Sequence, residues 1–200
     1  MNTLLQIKAS INNANAHSSR LANRFVAALQ KRHPNATTIV RDVAGAEPVP
    51  HLDAERFGAF ISKPEDRSAA QRAVVAYSDT LIDELRQADI IVLGLPMYNF
   101  GVPSQLKAYF DHIARVGVTF AYTENGSVGK LTGKKVYVFA ARGGVYVGTP
   151  MDTQTSYVRA FLRFLGMDDV EFIYAEGLNI SPQHKEAGLA NAEAHIARLS

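Results

Sequence analysis

The chain has 200 residues, 47% of them apolar, and a formal charge of +2. That length suits one domain, residues 1–200, with a sizeable core, and the small charge, without a basic tail, argues against a nucleic-acid partner. Cysteine is absent, so disulfide and thiolate chemistry are excluded. No signal-like start and no apolar run near the ~20 residues of a membrane span is present, so a cytoplasmic protein without a membrane partner is expected.

Strand-like apolar runs alternate with helical patterns. The first strand is expected over Leu4–Ala9. A helix follows over Ser19–Arg32, because Leu21, Phe25, Ala28 and Leu29 recur at helical spacing. Thr37–Arg41 is rich in β-branched residues and reads as the second strand. Asp42–Arg67 has weak periodicity and several prolines; a short helix near Asp53–Phe60 and a functional or interface role are expected there. Ser68 and Gln71 form a capping-box pattern ahead of a long helix carrying Val74, Val75, Leu81, Ile82 and Leu85.

Asp89 leads into a continuous apolar run, the mark of a strand buried on both faces. The run is expected to break at Pro96, which has no N–H to extend a ladder. Met97, Tyr98, Asn99, Phe100 and Gly101 follow. Ser104–Ile113 reads as a helix that buries Leu106, Phe110 and Ile113. Val116–Thr132 carries an Asn125-Gly126 hairpin signal. Lys135–Ala141 is the fourth core strand. Thr149-Pro150-Met151-Asp152 reads as a helix start, with Thr149 as cap and Pro150 at the first helical position; that helix is expected to bury Tyr157, Phe161, Phe164 and Leu165. Val170–Ala175 is the fifth core strand, and Ser181-Pro182 opens the last helix.

The alternation predicts an α/β fold, a doubly wound five-stranded parallel sheet with helices on both faces. The flavodoxin-like order 2-1-3-4-5 fits five strands, with a ligand crevice between strands one and three.

Three loops then share one rim. Ser10–Ser19 joins a strand to a helix N-terminus, where unpaired N–H groups and hydroxyls make an anion site. Ser18 has two readings there, an anion ligand or an ordinary helix cap. The loop has no glycine and matches neither GxGxxG nor the P-loop. In the second loop, Tyr98 and Phe100 sit beyond a strand end, with a core reading beside the ligand one. In the third, Gly143-Gly144 after Ala141-Arg142 allows close backbone approach to a ligand. The six histidines show no HExxH spacing and no GxSxG elbow occurs, so neither a metal site nor a hydrolase triad is expected.

Taken together, these stretches resemble the bacterial FMN-dependent NADH-azoreductases, also described as NADH:quinone oxidoreductases. The likeness spans the chain. It rests on Pro96-Met97-Tyr98-Asn99-Phe100, Pro103-Ser104-Gln105-Leu106-Lys107, Tyr109-Phe110-Asp111, Gly117-Val118-Thr119-Phe120, Tyr122-Thr123-Glu124-Asn125-Gly126, Arg142-Gly143-Gly144 and Ala175-Glu176-Gly177. The resemblance implies bound FMN, with NADH or NADPH as electron donor and a quinone or azo compound as acceptor. It implies FMN contacts from Ser10, from the phosphate run Ala16-His17-Ser18, from Met97, Tyr98, Asn99 and Phe100, and from Ala141, Arg142, Gly143 and Gly144. Ala16 stands where the family usually has serine, and so does Ala141. The resemblance further implies a homodimer, with Phe120, Tyr122 and Phe164 near the substrate. Lys63 and Arg67 are candidates for a ribose phosphate. No catalytic side chain is implied, because a flavin carries its own redox chemistry. Two alternatives stay open on sequence: a flavodoxin-type electron carrier that does not oxidise NADH, and a non-catalytic interaction module.

Overall fold

A computed structural model describes residues 1–12 and 15–199; Asn13 and Ala14, inside the first loop, lie outside the described residues, as does Ser200. The elements are β1 (Thr3–Lys8), α1 (His17–Arg32), β2 (Thr37–Asp42), α2 (Ala54–Ile61), α3 (Ala69–Gln87), β3 (Ile90–Pro96) and α4 (Ser104–Ile113). They continue with β4 (Phe120–Thr123), β5 (Gly126–Gly129), β6 (Lys135–Ala141), α5 (Thr153–Phe164), β7 (Asp169–Ala175) and α6 (Pro182–Leu199). The main sheet is parallel throughout, in the order β2-β1-β3-β6-β7. This is the expected 2-1-3-4-5 arrangement, with the β4–β5 hairpin as an insertion.

Alternation along each strand divides the core in two. Leu4, Val92, Phe139 and Ile173 point to the face covered by α1 and α6, where they meet Phe25, Leu29 and Ile196. Leu5, Ile91, Leu93 and Val138 point to the opposite face and pack on Leu81, Leu85, Phe110 and Leu162 of α3, α4 and α5. Both faces of the central strands are therefore dry, as their unbroken apolar runs require. No described helix is long and apolar enough to cross a membrane.

Local signals act where they were read. Ser68 and Gln71 close the capping box of α3, at 3.2 and 2.9 Å. The irregular segment after β2 contains α2, whose first turn is capped by Asp53 accepting from Arg56 N at 2.8 Å. That segment is fastened to the body by His112, whose Nε2 meets the Pro50 carbonyl at 3.0 Å, and by Arg115, which lies 5.0 Å over the Phe60 ring.

The third core strand ends at Pro96, as expected. The ladder pairs Pro96 with Ala141, and Met97 N donates onward to Ala141 O at 3.1 Å; the missing proline donor is tolerated at the strand's last residue. Three local expectations are corrected. The helix after β6 begins at Thr153, not Thr149. Thr149 forms a local turn instead, and Asp152 is the cap, accepting from Thr155 N at 3.0 Å. Its buried face is Gln154, Val158, Leu162 and Leu165, whereas Phe161 and Phe164 are half-buried and Tyr157 is exposed. The hairpin's two turn residues are Glu124 and Asn125, because Thr123 pairs with Gly126 and the left-handed backbone falls on Gly126 at φ 107°. The hairpin docks where Gly129 crosses Gly166 so closely that a Cβ at Gly129 would collide with backbone.

Candidate active site

The parallel sheet puts the carboxyl ends of β1, β3 and β6 on one rim, and a crevice of about 360 Å³ opens there. That volume suits a small ligand, at the lower end of the ~300–1,000 Å³ usual for such sites. From the β1 loop it is lined by Ser10, Asn12, Asn15, Ala16, His17 and Ser18. Pro96 and Tyr98 line it from β3, Ala141 and Gly143 from β6, and Leu178 and Asn179 from the loop after β7.

The α1 end of the crevice is rich in polar groups without protein partners. Helix α1 starts two residues earlier than its apolar spacing suggests, so His17 and Ser18 belong to its first turn. Ala16 is the cap position and has no side chain able to accept from the first-turn N–H groups, which have no side-chain cap among the described residues. Ser18 is thus not the cap. Its hydroxyl is wholly buried and has no partner among the described residues, and the same holds for Ser19. A buried, unpaired hydroxyl costs about 1–3 kcal/mol, a penalty removed when a ligand atom accepts from it. Burial, then Lys185, then Arg20 lower the His17 pKa from its ordinary value. Two cations beside the helix N-terminus make this end electropositive, as an anion site requires.

At the crevice floor, Ser10 is 2% exposed and its Oγ lies 3.1 Å from the Tyr98 hydroxyl, while Asn12 N donates to Ser10 Oγ at 3.2 Å. This pair of hydroxyls bridges the ends of β1 and β3 and leaves one O–H proton free for a ligand.

The wall formed after β3 is Pro96 and Tyr98, and Tyr98 opens a two-residue turn beside it. Tyr98 N donates to Gly101 O at 3.2 Å, and Gly101 N returns to Tyr98 O at 3.0 Å. Between them Asn99 and Phe100 both take left-handed backbone, at φ 49° and 66°, the pattern of a type I′ turn. Left-handed backbone costs roughly 1–2 kcal/mol for each non-glycine residue. The N–H groups of Asn99 and Phe100 have no acceptor among the described residues.

The wall after β6 is braced from below. Arg142 is wholly buried. It pairs with Asp152 at 2.9 Å and Glu176 at 3.2 Å, donates to Thr155 Oγ1 at 2.8 Å and lies 5.0 Å over the Tyr174 ring. Both terminal guanidinium nitrogens are thus engaged inside the protein and the backbone N–H bonds to Ala175 O, whereas Nε is buried without a partner among the described residues. Arg142 fastens the loop from within. Glu176 also accepts from Tyr146 N and Val147 N at 2.9 and 3.1 Å. Burial raises the Asp152 pKa, but hydrogen bonds from Arg142 and Thr155 outweigh it and hold the carboxylate below its usual range. The carbonyls of Gly143 and Gly144 are taken by Asn179 N and Gly177 N, and their N–H groups have no acceptor among the described residues. A Cβ on Gly143 would sit 2.8 Å from Asn179 Nδ2, so a side chain there would displace the Asn179 amide from the crevice lining.

A family model described as a flavodoxin-like fold matches residues 2–199. The FMN-dependent NADH:quinone oxidoreductase of Cellvibrio japonicus is 56% identical over 196 residues, covering 98% of this chain and 97% of that protein. The FMN-dependent NADH:quinone oxidoreductase 6 of Burkholderia lata is 55% identical, covering 98% of this chain and 99% of its own. The chain belongs to the flavodoxin-like FMN-dependent NADH:quinone oxidoreductase family. Among solved structures, azoreductase from Bacillus anthracis str. Sterne superposes with a TM-score of 0.90 at 29% identity, covering 100% of this chain and 98% of that one. An FMN-dependent NADH-azoreductase from Bacillus anthracis str. Ames Ancestor, solved in complex with FMN, gives 0.87 at 26% identity, covering 100% and 99%.

In this family member, three expected substrate residues cluster together but away from the crevice. Phe120 and Phe164 have ring centroids 4.4 Å apart, and Tyr122 stands edge-on to Phe120 at 5.5 Å. Phe120 is buried, Phe164 half-buried and Tyr122 73% exposed. None of the three lines the crevice of its own chain. Met97, Asn99, Phe100, Arg142 and Gly144 border the crevice loops without being among its lining residues. Arg67 donates to Ser62 O at 3.0 Å rather than projecting as a free cation. Sequence reasoning missed Asn12, Asn15, Leu178 and Asn179. Asn179 lies two residues past Glu176-Gly177, a stretch that carried the resemblance without pointing to a contact.

Proposed function

We propose that this chain is an FMN-dependent oxidoreductase that takes electrons from NADH and delivers them to quinones and azo compounds. The observation that carries the reading is the crevice itself. It brings together Ser18, whose buried hydroxyl has no partner among the described residues, and the loops after β3 and β6, on a chain similar end to end to oxidoreductases of that name.

These groups fit a flavin mononucleotide. We assign the phosphate to Ser18, the N–H groups of α1 and His17, with no hydroxyl from Ala16. Ser10 and Tyr98 are assigned to the middle of the site. The flavin ring is assigned to Met97, Tyr98, Asn99 and Phe100 on one side and to Ala141, Gly143 and Gly144 on the other; Arg142 acts from behind. FMN held by these residues would supply two-electron redox chemistry between NADH and the acceptor. The protein binds, orients and supplies fixed dipoles: the Gly143 and Gly144 N–H groups stabilise negative charge without reorganising.

The cluster of Phe120, Tyr122 and Phe164 supports a homodimer. Since these rings do not reach their own crevice, they serve as the flat, water-excluding cover of the partner's. A chain acting as one domain in the cytoplasm completes the reading. Reconstitution with FMN, followed by anaerobic NADH and then a quinone, tests it. The flavin absorbance is expected to bleach with NADH and return with quinone; a flavin that NADH leaves oxidised would instead identify an electron carrier.

A further inference from the structure

Tyr98, which lines the crevice, opens a turn that local backbone preference opposes. Phe100 in particular is a bulky residue at φ 66°, where such residues are outliers. A conformation of this kind persists only where its surroundings over-determine it. The determinants lie on α5. Gln154 is 1% exposed, and its Nε2 donates to both the Pro96 and Gly101 carbonyls at 2.9 Å. It clamps the two ends of the segment that contains the turn. Thr153 Oγ1 donates to Phe100 O at 2.7 Å, and the Phe100 ring stands edge-on to Tyr146 at 5.6 Å. The neighbouring residue Asp152 pairs with Arg142 under the opposite wall. The first turn of α5 therefore ties both walls to one strut, although Gln154 is not among the crevice-lining residues.

We propose that Gln154 is a positioning residue for the cofactor site. Its amide holds the Asn99–Phe100 turn in left-handed form and so keeps the N–H groups of Asn99 and Phe100 unpaired for the flavin. The proposal rests on the flavin reading above. Two measurements test it: FMN affinity from quenching of flavin fluorescence, and hydrogen exchange in FMN-free protein at the Tyr98 and Gly101 amides, which bond across the turn. Gln154→Met keeps the chain length and removes both donors. Gln154→Glu keeps the shape but turns a carboxylate toward two carbonyls. Both variants are expected to weaken FMN binding about tenfold, the worth of two ordinary hydrogen bonds, and to speed exchange at both amides. A role in packing alone predicts that Gln154→Glu behaves as wild type, and that result overturns the proposal. If neither variant folds, the exposed Thr153→Val decides: about threefold weaker FMN binding, the worth of one hydrogen bond, supports the clamp, and unchanged binding overturns it. A wild-type protein that takes up no FMN would overturn the flavin reading instead, leaving amide exchange to judge Gln154.

Discussion

The two ends of the crevice are built on opposite principles. At the α1 end, the Ser18 hydroxyl has no partner and the first-turn N–H groups no side-chain cap among the described residues, and Ala16 provides none. At the β3–β6 end, a buried arginine, two carboxylates, a glutamine and a threonine hold the loops from beneath. The first end is poised for a ligand at the expense of its own stability. The second uses stability from the core to keep backbone donors where a ligand needs them. On the proposed flavin reading, unmet polar groups contribute to affinity at one end, whereas over-determined geometry sets orientation at the other.

Breaking the braced end should have the largest effect. Arg142→Met leaves Asp152 and Glu176 without their shared cation, and a loss of about 3–5 kcal/mol is expected, measured by urea denaturation of FMN-free protein. The open end should behave in the opposite way. Ser18→Ala removes an unpaired hydroxyl, so FMN-free stability should hold or rise, while loss of a hydrogen bond to a charged phosphate weakens FMN binding roughly 10- to 100-fold. Equal losses of stability and binding would contradict the contrast. Ala16→Ser sharpens it further. A serine cap on α1 should stabilise the FMN-free protein by about 1 kcal/mol, and FMN titration will show how far the new hydroxyl also adds to binding.

The smallest effect concerns pH. His17 has a folded pKa below its ordinary value. Its contribution to stability is therefore present above the unfolded pKa of about 6.5 and lost as pH falls through the folded value. A phosphate beside it favours the protonated form, so FMN should bind more tightly on acidification from pH 8 to 6. His17→Gln is expected to flatten both profiles. A pH-dependent affinity that survives in His17→Gln would move the titrating group elsewhere.

Gln154 and Phe164 show where sequence reading stops. Both lie on α5, and helical spacing alone makes Phe164 core. In the fold Gln154 is the buried one and Phe164 is half-buried, because the helix starts at Thr153 under a turn whose carbonyls need donors. Likewise Arg142-Gly143-Gly144 read as one ligand-facing run, yet the arginine turns inward to carboxylates that lie ten and thirty-four residues away along the chain.

What the sequence by itself determined was the succession of strands and helices, the flavodoxin-like strand order, the three loops that meet at one rim and the family. Those follow from hydrophobic period, turn chemistry and local motifs, all short-range in the chain. Only the tertiary structure decided which polar groups stay unpaired, which way Arg142 faces and what holds Asn99 and Phe100 in left-handed backbone. Hydrogen bonds and ion pairs are satisfied across the fold, so whether a given donor finds its acceptor is settled only when distant elements pack together.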